Sequence, residues 1–313
     1  MMAPVRAALP WFVIVNPAAG GSRARRRWPA LRTALERHGI PFTAALTAGP
    51  GHAQQLAVAA VTAGARRLLV VGGDGSLHEV LNGLWAHDPG VLQHTVIAVA
   101  PCGSGNDWAR TLDFPGDPTR FAARLAAGRT RRVDLGLATC RPPGGSTDHR
   151  CVFHNVAGAG IDAAVLRRTP RRGPRALAYL TGLALALPRF RAPEFRISTD
   201  RGTRSGRFFI ALAALGPDCG GGLRLAPGAR PDDGLLDLVA IDALPLRRAL
   251  ARLPKLFNGR LAADPAVHGE RSAAARIECD PPGEIQADGQ LIGTTPLTVQ
   301  VLPGALGALD CRG

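Results

Sequence analysis

Apolar residues along this chain change their period, and the changes outline its organisation. Trp11–Val15 is a short continuous apolar run, the mark of a strand buried on both faces. Ser22–His38 then places Trp28, Leu31, Leu35 and His38 on one face of a helix. A strand at Phe42–Leu46, a helix from His52 to about Ala63, a strand at Leu68–Val71, a helix at 76–86 and a strand at Thr95–Ala100 follow. In the helix after Val71, residues Leu77, Val80, Leu81 and Leu84 recur at helical spacing, and Ser76 stands where an N-cap would, with Glu79 three residues on. Alternating strands and helices joined by short glycine-rich turns predict a parallel sheet with helices on both faces.

Near Arg131–Leu137 the character changes. Beyond a polar loop at Arg141–Arg150, strand-like runs are short and punctuated by turns: Cys151–Val156, Glu194–Ser198, Phe208–Leu215, Leu235–Ile241, Ile277–Cys279, Glu284–Ala287 and Leu297–Val301. That spacing predicts a β-sandwich, with helical inserts at Ala176–Leu187 and Leu246–Phe257. The fold class expected is an α/β nucleotide-binding domain followed by a β-sandwich domain, with the boundary near residue 138.

The 313 residues, 46% hydrophobic, are enough for two such cores. The net charge of +14 is almost entirely arginine, since Lys255 is the sole lysine; it favours polyanions such as nucleotides or an acidic membrane face. Nucleic acid is not expected as a partner: aromatics are 5%, and no nucleic-acid-binding motif is present. Cysteines 102, 140, 151, 219, 279 and 311 form no C-x-x-C pair, which suits a reduced cytoplasmic protein. The first seventeen residues, MMAPVRAALPWFVIVNP, lack a signal-peptide pattern, and the apolar stretch Ala176–Pro188 is too short to span a bilayer.

Candidate chemistry concentrates at the strand ends. Gly72-Gly73-Asp74-Gly75 separates a clear strand from a clear helix, so glycine backbone and helix-terminal N–H groups can approach a phosphate. The Walker pattern with its lysine is missing. Pro101–Asp107 is a second candidate loop: the Gly103 and Gly105 amides and the Ser104 hydroxyl would face the nucleotide, with Asn106 and Asp107 capping the next helix. Gly158-Ala159-Gly160-Ile161-Asp162-Ala163 fits the dinucleotide fingerprint, but no acid follows at ribose distance, so a dehydrogenase is rejected; Asn155 and Asp162 are left as cleft polar groups. Asp232-Asp233-Gly234 and Asp288-Gly289 read as an acidic turn and a hairpin turn on spacing alone. The arginines at 23, 25, 26 and 27 suit phosphate, anionic lipid or a solvated helix face, and His78 and His154 lack partners at metal-ligand spacing.

In this order the motifs resemble the diacylglycerol kinase catalytic-domain family, which includes bacterial lipid kinases and is related to sphingosine and ceramide kinases. The residues that carry the resemblance are NPAAGG (16–21), GGDGSLHEVLNGL (72–84), PCGSGNDWAR (101–110), Arg132–Gly136 and GGGLRLAPGARPDDGLLDLV (220–239). The resemblance implies an NAD-kinase-like α/β domain at 1–138, a β-sandwich lipid-substrate domain at 139–302, and a tail of about 303–313 packed back on the first. It implies that ATP lies against Asn16, Thr47, Gly72, Gly73, Asp74, Gly75, Ser76, Leu77, His78 and the 103–107 loop. Asp233 and the backbone oxygens of Arg230 and Leu235 would hold Mg²⁺. Asp288 would be the general base, with Asp74 in the acidic apparatus near the phosphates. A membrane lipid would be the acceptor, reached by peripheral docking on the anionic inner membrane face. An NAD kinase and a non-catalytic lipid- or nucleotide-binding homologue are the rival readings, and a homodimer is left open. Where the family reads Asp-Gly-Glu, this chain has Asp288-Gly289-Gln290, which removes one carboxylate.

Overall fold

The structure is a computed structural model that describes residues 9–142, 145, 147–169 and 175–311. Parts of the polar loop 141–150, of the charge-biased stretch 167–175 and of the first ten residues therefore lie outside the described residues. The elements run β1 (Trp11–Val15), α1 (Ala19–Arg37), β2 (Phe42–Leu46), α2 (His52–Thr62), β3 (Arg67–Gly72), α3 (Asp74–His87), β4 (Val96–Pro101), α4 (Asp107–Thr111) and α5 (Pro118–Ala127). There follow β5 (Thr130–Arg141), β6 (His149–Phe153), β7 (Val156–Gly160), α6 (Ile161–Arg168), α7 (Arg175–Ala186), β8 (Glu194–Thr199), β9 (Gly202–Ala214), β10 (Asp218–Cys219) and β11 (Leu223–Arg224). The last are β12 (Leu236–Asp242), α8 (Leu246–Leu250), α9 (Lys255–Asn258), β13 (Val267–Ser272), β14 (Ala274–Asp280), β15 (Glu284–Ala287) and β16 (Gln290–Leu309). They fall into two compact units: residues 1–103, 112–132 and 306–313, and residues 104–111 and 133–305.

The first unit is the parallel α/β layer that the period change predicts. β2, β1, β3 and β4 lie side by side and all parallel, and Gly307 and Ala308 at the end of β16 add to the free edge of β4. Val13, Ile14, Leu68, Leu69, Val70, Val71 and Ile97 are fully buried, as strands covered on both faces require. On α3, Leu77, Val80, Leu81 and Leu84 are all at 0% exposure, so its predicted face is the one packed inward. On α1 the inward face is Ala24, Leu31, Ala34 and Leu35; Trp28 sits at the edge against Phe42 and His38 is exposed, so the predicted stripe is rotated.

The second unit is antiparallel. β9 pairs with β8 through residues 202–207 and with β7 and β12 further along, while β16 pairs with β15 at 290–294 and with β14 at 297–300. With β14 joined to β8 and β15 to β7, the ladder closes on itself. Along the end of β9 and into the residue after it, alternate residues enter two cores: Ala211, Ala213 and Leu215 pack with Phe195 and Phe208, while Ile210, Leu212 and Ala214 pack under α6 and α7. Burial on both faces explains why Phe208–Leu215 is apolar throughout rather than alternating.

Two expected elements differ. Cys151–Val156 is two strands, β6 and β7, broken at His154-Asn155 because the Asp288 carboxylate captures the amides of residues 154, 155 and 156. Leu246–Phe257 is two short helices, α8 and α9, separated at Pro254, which lacks the N–H a continuous helix needs. The glycines of the 158–163 fingerprint serve packing: a Cβ on Gly158 would lie 2.6 Å from the Ala211 carbonyl oxygen and one on Gly160 2.4 Å from that of Phe209.

Candidate functional site: a glycine-turn platform and a buried aspartate

In the first unit, the turns after β1, β3 and β4 are locked to one another by specific contacts. Asn16 accepts from the Ala18 N–H (3.1 Å) and donates through Nδ2 to the Ser76 hydroxyl (2.9 Å), joining the first turn to the GGDG turn. The Gly72 carbonyl accepts from both the Cys102 and Gly103 amides (2.7 and 3.0 Å). Gly20, in the left-handed region at φ +58°, lies so close to the third turn that a Cβ would stand 2.2 Å from the Cys102 carbonyl oxygen. Arg23 and Arg27 brace the same loop by donating to the carbonyls of Gly103 and Pro101. Arg23, Arg25 and Arg26 are exposed, as a solvated helix face would have them, and Arg23 and Arg27 in addition tie α1 to the third turn.

α3 starts at Asp74, with Gly73 as N-cap and no side chain capping it. Ser76 is thus not the cap expected. It is buried in the first turn, and its hydroxyl lies where a Cβ on Gly72 would be 2.7 Å away, so Gly72 must be glycine for the turn to close. The amides of Ser76 and Leu77 return to the Gly73 carbonyl. The Gly75 amide has no acceptor among the described residues, which leaves a helix-start N–H and the positive end of α3 for an anion. The Gly103 amide, expected to face a nucleotide, is spent on Gly72. Leu77 is buried, so it offers only backbone, and Asp74 and His78 are partly exposed. Thr47, just past β2, is buried and donates its N–H to the Val15 carbonyl.

The 103–107 loop divides between the units. Ser104, Asn106 and Asp107 cluster with the second, where Ser104 is exposed and Asn106 is left-handed at φ +56°. Asp107 is the first residue of α4 and is buried. Its carboxylate accepts from the Gly221 amide (2.9 Å) and from Arg110 (2.6 Å), so it holds the glycine run 220–222 rather than standing open to a ligand. Asp134 does similar work: its two oxygens take the amides of Gly234 and Gly304, both at 2.7 Å.

Asp288 sits with Gly289 in the hairpin between β15 and β16, both at positive φ, as the Asp-Gly pair predicts. Its side chain is at 0% exposure. One oxygen accepts from the amides of Asn155 (3.0 Å) and Val156 (3.2 Å); the other accepts from the amide of His154 (3.0 Å) and lies 2.8 Å from His154 Nδ1. His154 is equally buried, with Trp108 packed edge-on against its ring. Residue spacing gives no sign of this pair, because 134 positions separate the two residues and only the closed ladder brings β6 to the β15–β16 turn.

The proposed cation ligands Arg230, Asp233 and Leu235 lie on one turn. The carbonyls of Arg230 and Leu235 accept no hydrogen bond among the described residues, so one carboxylate and two open carbonyls make an oxygen set of the kind a hard divalent ion takes. Asp233 already accepts from the Leu235 amide (3.2 Å) and pairs with Arg271, whose guanidinium also lies 3.4 Å from Asp237. Burial raises the Asp237 carboxyl and Arg271 opposes that rise. The donor types fit Mg²⁺, which would share Asp233 with Arg271. Asp162 is wholly buried, with its carboxyl pushed up to about 6 by desolvation, and Asn155 donates to the Asp218 carbonyl (2.8 Å).

The second unit also holds an apolar cavity of about 90 Å³, lined by Ile161, Tyr179, Leu183, Phe209, Leu223 and Leu256 among others.

Residues 10–138 match the model of the diacylglycerol kinase catalytic domain, and residues 155–310 match that of the YegS C-terminal NAD kinase beta sandwich-like domain. A diacylglycerol kinase of Mycobacterium tuberculosis (strain H37Rv) is 29% identical over 308 residues, which is 96% of this chain and 94% of that protein. One from Staphylococcus saprophyticus is 27% identical over 289 residues, 91% of this chain and 90% of its own. Among solved structures, a diacylglycerol kinase from Bacillus anthracis str. Sterne superposes with a TM-score of 0.72 at 18% identity over 97% of both chains. Yeast NADH kinase complexed with NADH reaches 0.51 at 10% identity, covering 96% of this chain and 82% of that one, which supports a shared NAD-kinase-like fold alone. On both of its halves, then, this chain belongs to the diacylglycerol kinase catalytic-domain family, with the family's YegS-type β-rich second domain, and is a phosphotransferase of the lipid-kinase kind.

Proposed function

We propose that this chain transfers the γ-phosphate of ATP to the hydroxyl of a membrane lipid, diacylglycerol or a close relative, in the presence of Mg²⁺. The observation that carries the lipid over NAD as acceptor is the cavity of about 90 Å³, whose walls are almost all aliphatic or aromatic. A dinucleotide, with its charges and hydroxyls, has no use for such a lining, whereas an acyl chain gains about 0.8 kcal/mol for each methylene it buries.

The first unit supplies the nucleotide platform: Asn16, Thr47, the 72–78 turn and helix start, and the Gly75 amide for a phosphate oxygen. Ser104 contributes a hydroxyl, while Gly103, Asn106 and Asp107 shape their loop. Phosphoryl transfer asks for positioning and charge stabilisation more than covalent chemistry. Mg²⁺ at Asp233 and the Arg230 and Leu235 carbonyls would supply charge that braces the turn.

Asp288 is the proposed proton acceptor. As the lipid oxygen forms its bond to the γ-phosphorus and the bond to the β–γ bridging oxygen breaks, releasing ADP, the hydroxyl proton passes to the Asp288 carboxylate. The three amides that hold this carboxylate can only donate. His154 Nδ1, 2.8 Å from the same carboxylate, holds it in place beside them. His154 is on this reading a positioning residue for Asp288. Gln290 replaces a carboxylate of the family pattern and is exposed, so a single acidic residue serves the hairpin.

A panel of lipid alcohols in mixed micelles, with NAD as the rival acceptor and labelled ATP as donor, tests the proposal. Label in an organic-soluble phospholipid supports it. Label in NADP, or none on any acceptor, overturns it.

A further inference from the structure

Segment 243–263 stands apart from the rest of the surface. It carries Arg247, Arg248, Arg252, Lys255 and Arg260 and not one acidic residue. Arg252 and Lys255 are committed to Asp264, at 3.0 and 2.6 Å, and hold its carboxyl down at about 2. Arg247, Arg248 and Arg260 are exposed and have no carboxylate partner among the described residues. Interleaved with them are three large apolar side chains turned to solvent: Leu246 at 43%, Leu250 at 45% and Phe257 at 46%. A helix as short as α8 gains nothing by exposing two leucines to water, and its three unneutralised neighbours repel one another.

The same segment is one wall of the apolar cavity, through Ala249, Leu253 and Leu256. α8 and α9 therefore have an inner face on the cavity and an outer face of leucine, phenylalanine and arginine. Leu185, 50% exposed, lies on α7, whose Leu183 lines the same cavity. Apolar side chains flanked by cations are the composition that settles at the boundary of headgroups and acyl chains, where arginine meets lipid phosphate and leucine or phenylalanine leaves water.

We propose that residues 246–260, which comprise α8, α9 and the start of the turn after them, form a docking edge that seats in an anionic lipid leaflet. Leu246, Leu250 and Phe257 insert, Arg247, Arg248 and Arg260 bind lipid phosphates, and the cavity behind them opens onto the bilayer. The occupant is a membrane rather than a second copy of this chain, because the edge is cationic and the protein carries +14, so two such edges repel. This deepens the lipid-kinase reading, but its test needs no turnover.

The experiment is co-sedimentation of the full chain with vesicles of pure phosphatidylcholine and of phosphatidylcholine mixed with phosphatidylglycerol, at low and high salt. Wild type is expected to bind the mixed vesicles and to lose most binding at high salt. The triple variant R247Q/R248Q/R260Q is expected to bind about 10²-fold more weakly, at roughly one decade or a little less for each arginine near an anionic surface. L250E/F257E is expected to fall to the level of pure phosphatidylcholine. Thermal melts like those of wild type show that both variants are folded; if either is not, Phe257→Ser alone replaces it. Mixed-vesicle binding that is absent in wild type, or unchanged in the variants, overturns the proposal, as does conversion of a dimer to a monomer by L250E/F257E. Phosphorylation of a short-chain acceptor in the absence of vesicles separates the two readings. Docking without turnover on any lipid sinks the kinase reading and leaves the edge standing, while turnover on the soluble acceptor without docking does the reverse.

Discussion

Gly20 and Gly21 are a matched pair that isolates what holds the nucleotide platform together. Both are left-handed, at φ +58° and +65°, and they differ in surroundings: a Cβ on Gly20 would stand 2.2 Å from the Cys102 carbonyl oxygen, while one on Gly21 would meet nothing within 4 Å. Replacing either by alanine costs about 1–2 kcal/mol for the left-handed backbone. Against that, about 0.4–1 kcal/mol returns from the stiffer unfolded chain. Gly21→Ala should therefore sit within about 1 kcal/mol of wild type. Gly20→Ala adds the overlap with a backbone oxygen that cannot rotate away, since the neighbouring amides of Cys102 and Gly103 are tied to Gly72; a forced shift of that kind costs about 1–3 kcal/mol more. Urea unfolding of the two variants measures the difference directly. ATP titration calorimetry then asks whether moving the 101–103 turn weakens nucleotide binding by about tenfold in Gly20→Ala, with Gly21→Ala close to wild type. Equal stabilities and equal affinities for the two variants would refute the claim that close contact between turns, rather than backbone conformation, makes Gly20 necessary.

Other consequences are narrower. His154→Phe keeps the ring volume but removes the 2.8 Å contact to Asp288, so kcat should fall about ten- to a hundredfold with the KM for ATP unmoved; His154→Gln, which can restore one hydrogen bond, should recover part of the loss. Asp162 is protonated in the fold up to about pH 6 against a usual 3.8, so ionising it opposes folding. That contribution is fully present below about pH 4, and about 3 kcal/mol is lost as pH rises from there through 6, at ~1.4 kcal/mol per unit. Denaturation of Asp162→Asn across this range should show that slope removed and a more stable protein above pH 6; an unchanged slope would contradict the burial argument.

Much of the first unit is legible in the sequence because its signals are local. β1 and β2 fall at the positions their apolar runs indicate, and α3 begins within one turn of its predicted start. What local signals did not show, the place of Ser76 and the carbonyl contacts of Arg23 and Arg27, depends on neighbours some 60 to 80 positions away. In the second unit the local signals conflict with long-range ones. β5 and β13 give no clear alternation, and the Cys151–Val156 run reads as one strand until a carboxylate from 133 positions on interrupts it. The Asp288 turn could be read from Asp-Gly alone, but its partner His154 could not. Nor could the reason for Gly136, where a Cβ would stand 2.0 Å from the Phe153 ring across the β5–β6 pair.

The account depends most on Asp288 as the acceptor of the lipid hydroxyl's proton, and transfer of labelled phosphate from ATP to lipid by the Asp288→Asn variant tests it most directly. The account predicts lipid phosphorylation reduced by about 10²–10⁴-fold with ATP affinity within a factor of about two of wild type. A folded Asp288→Asn protein that phosphorylates lipid at the wild-type rate would contradict it.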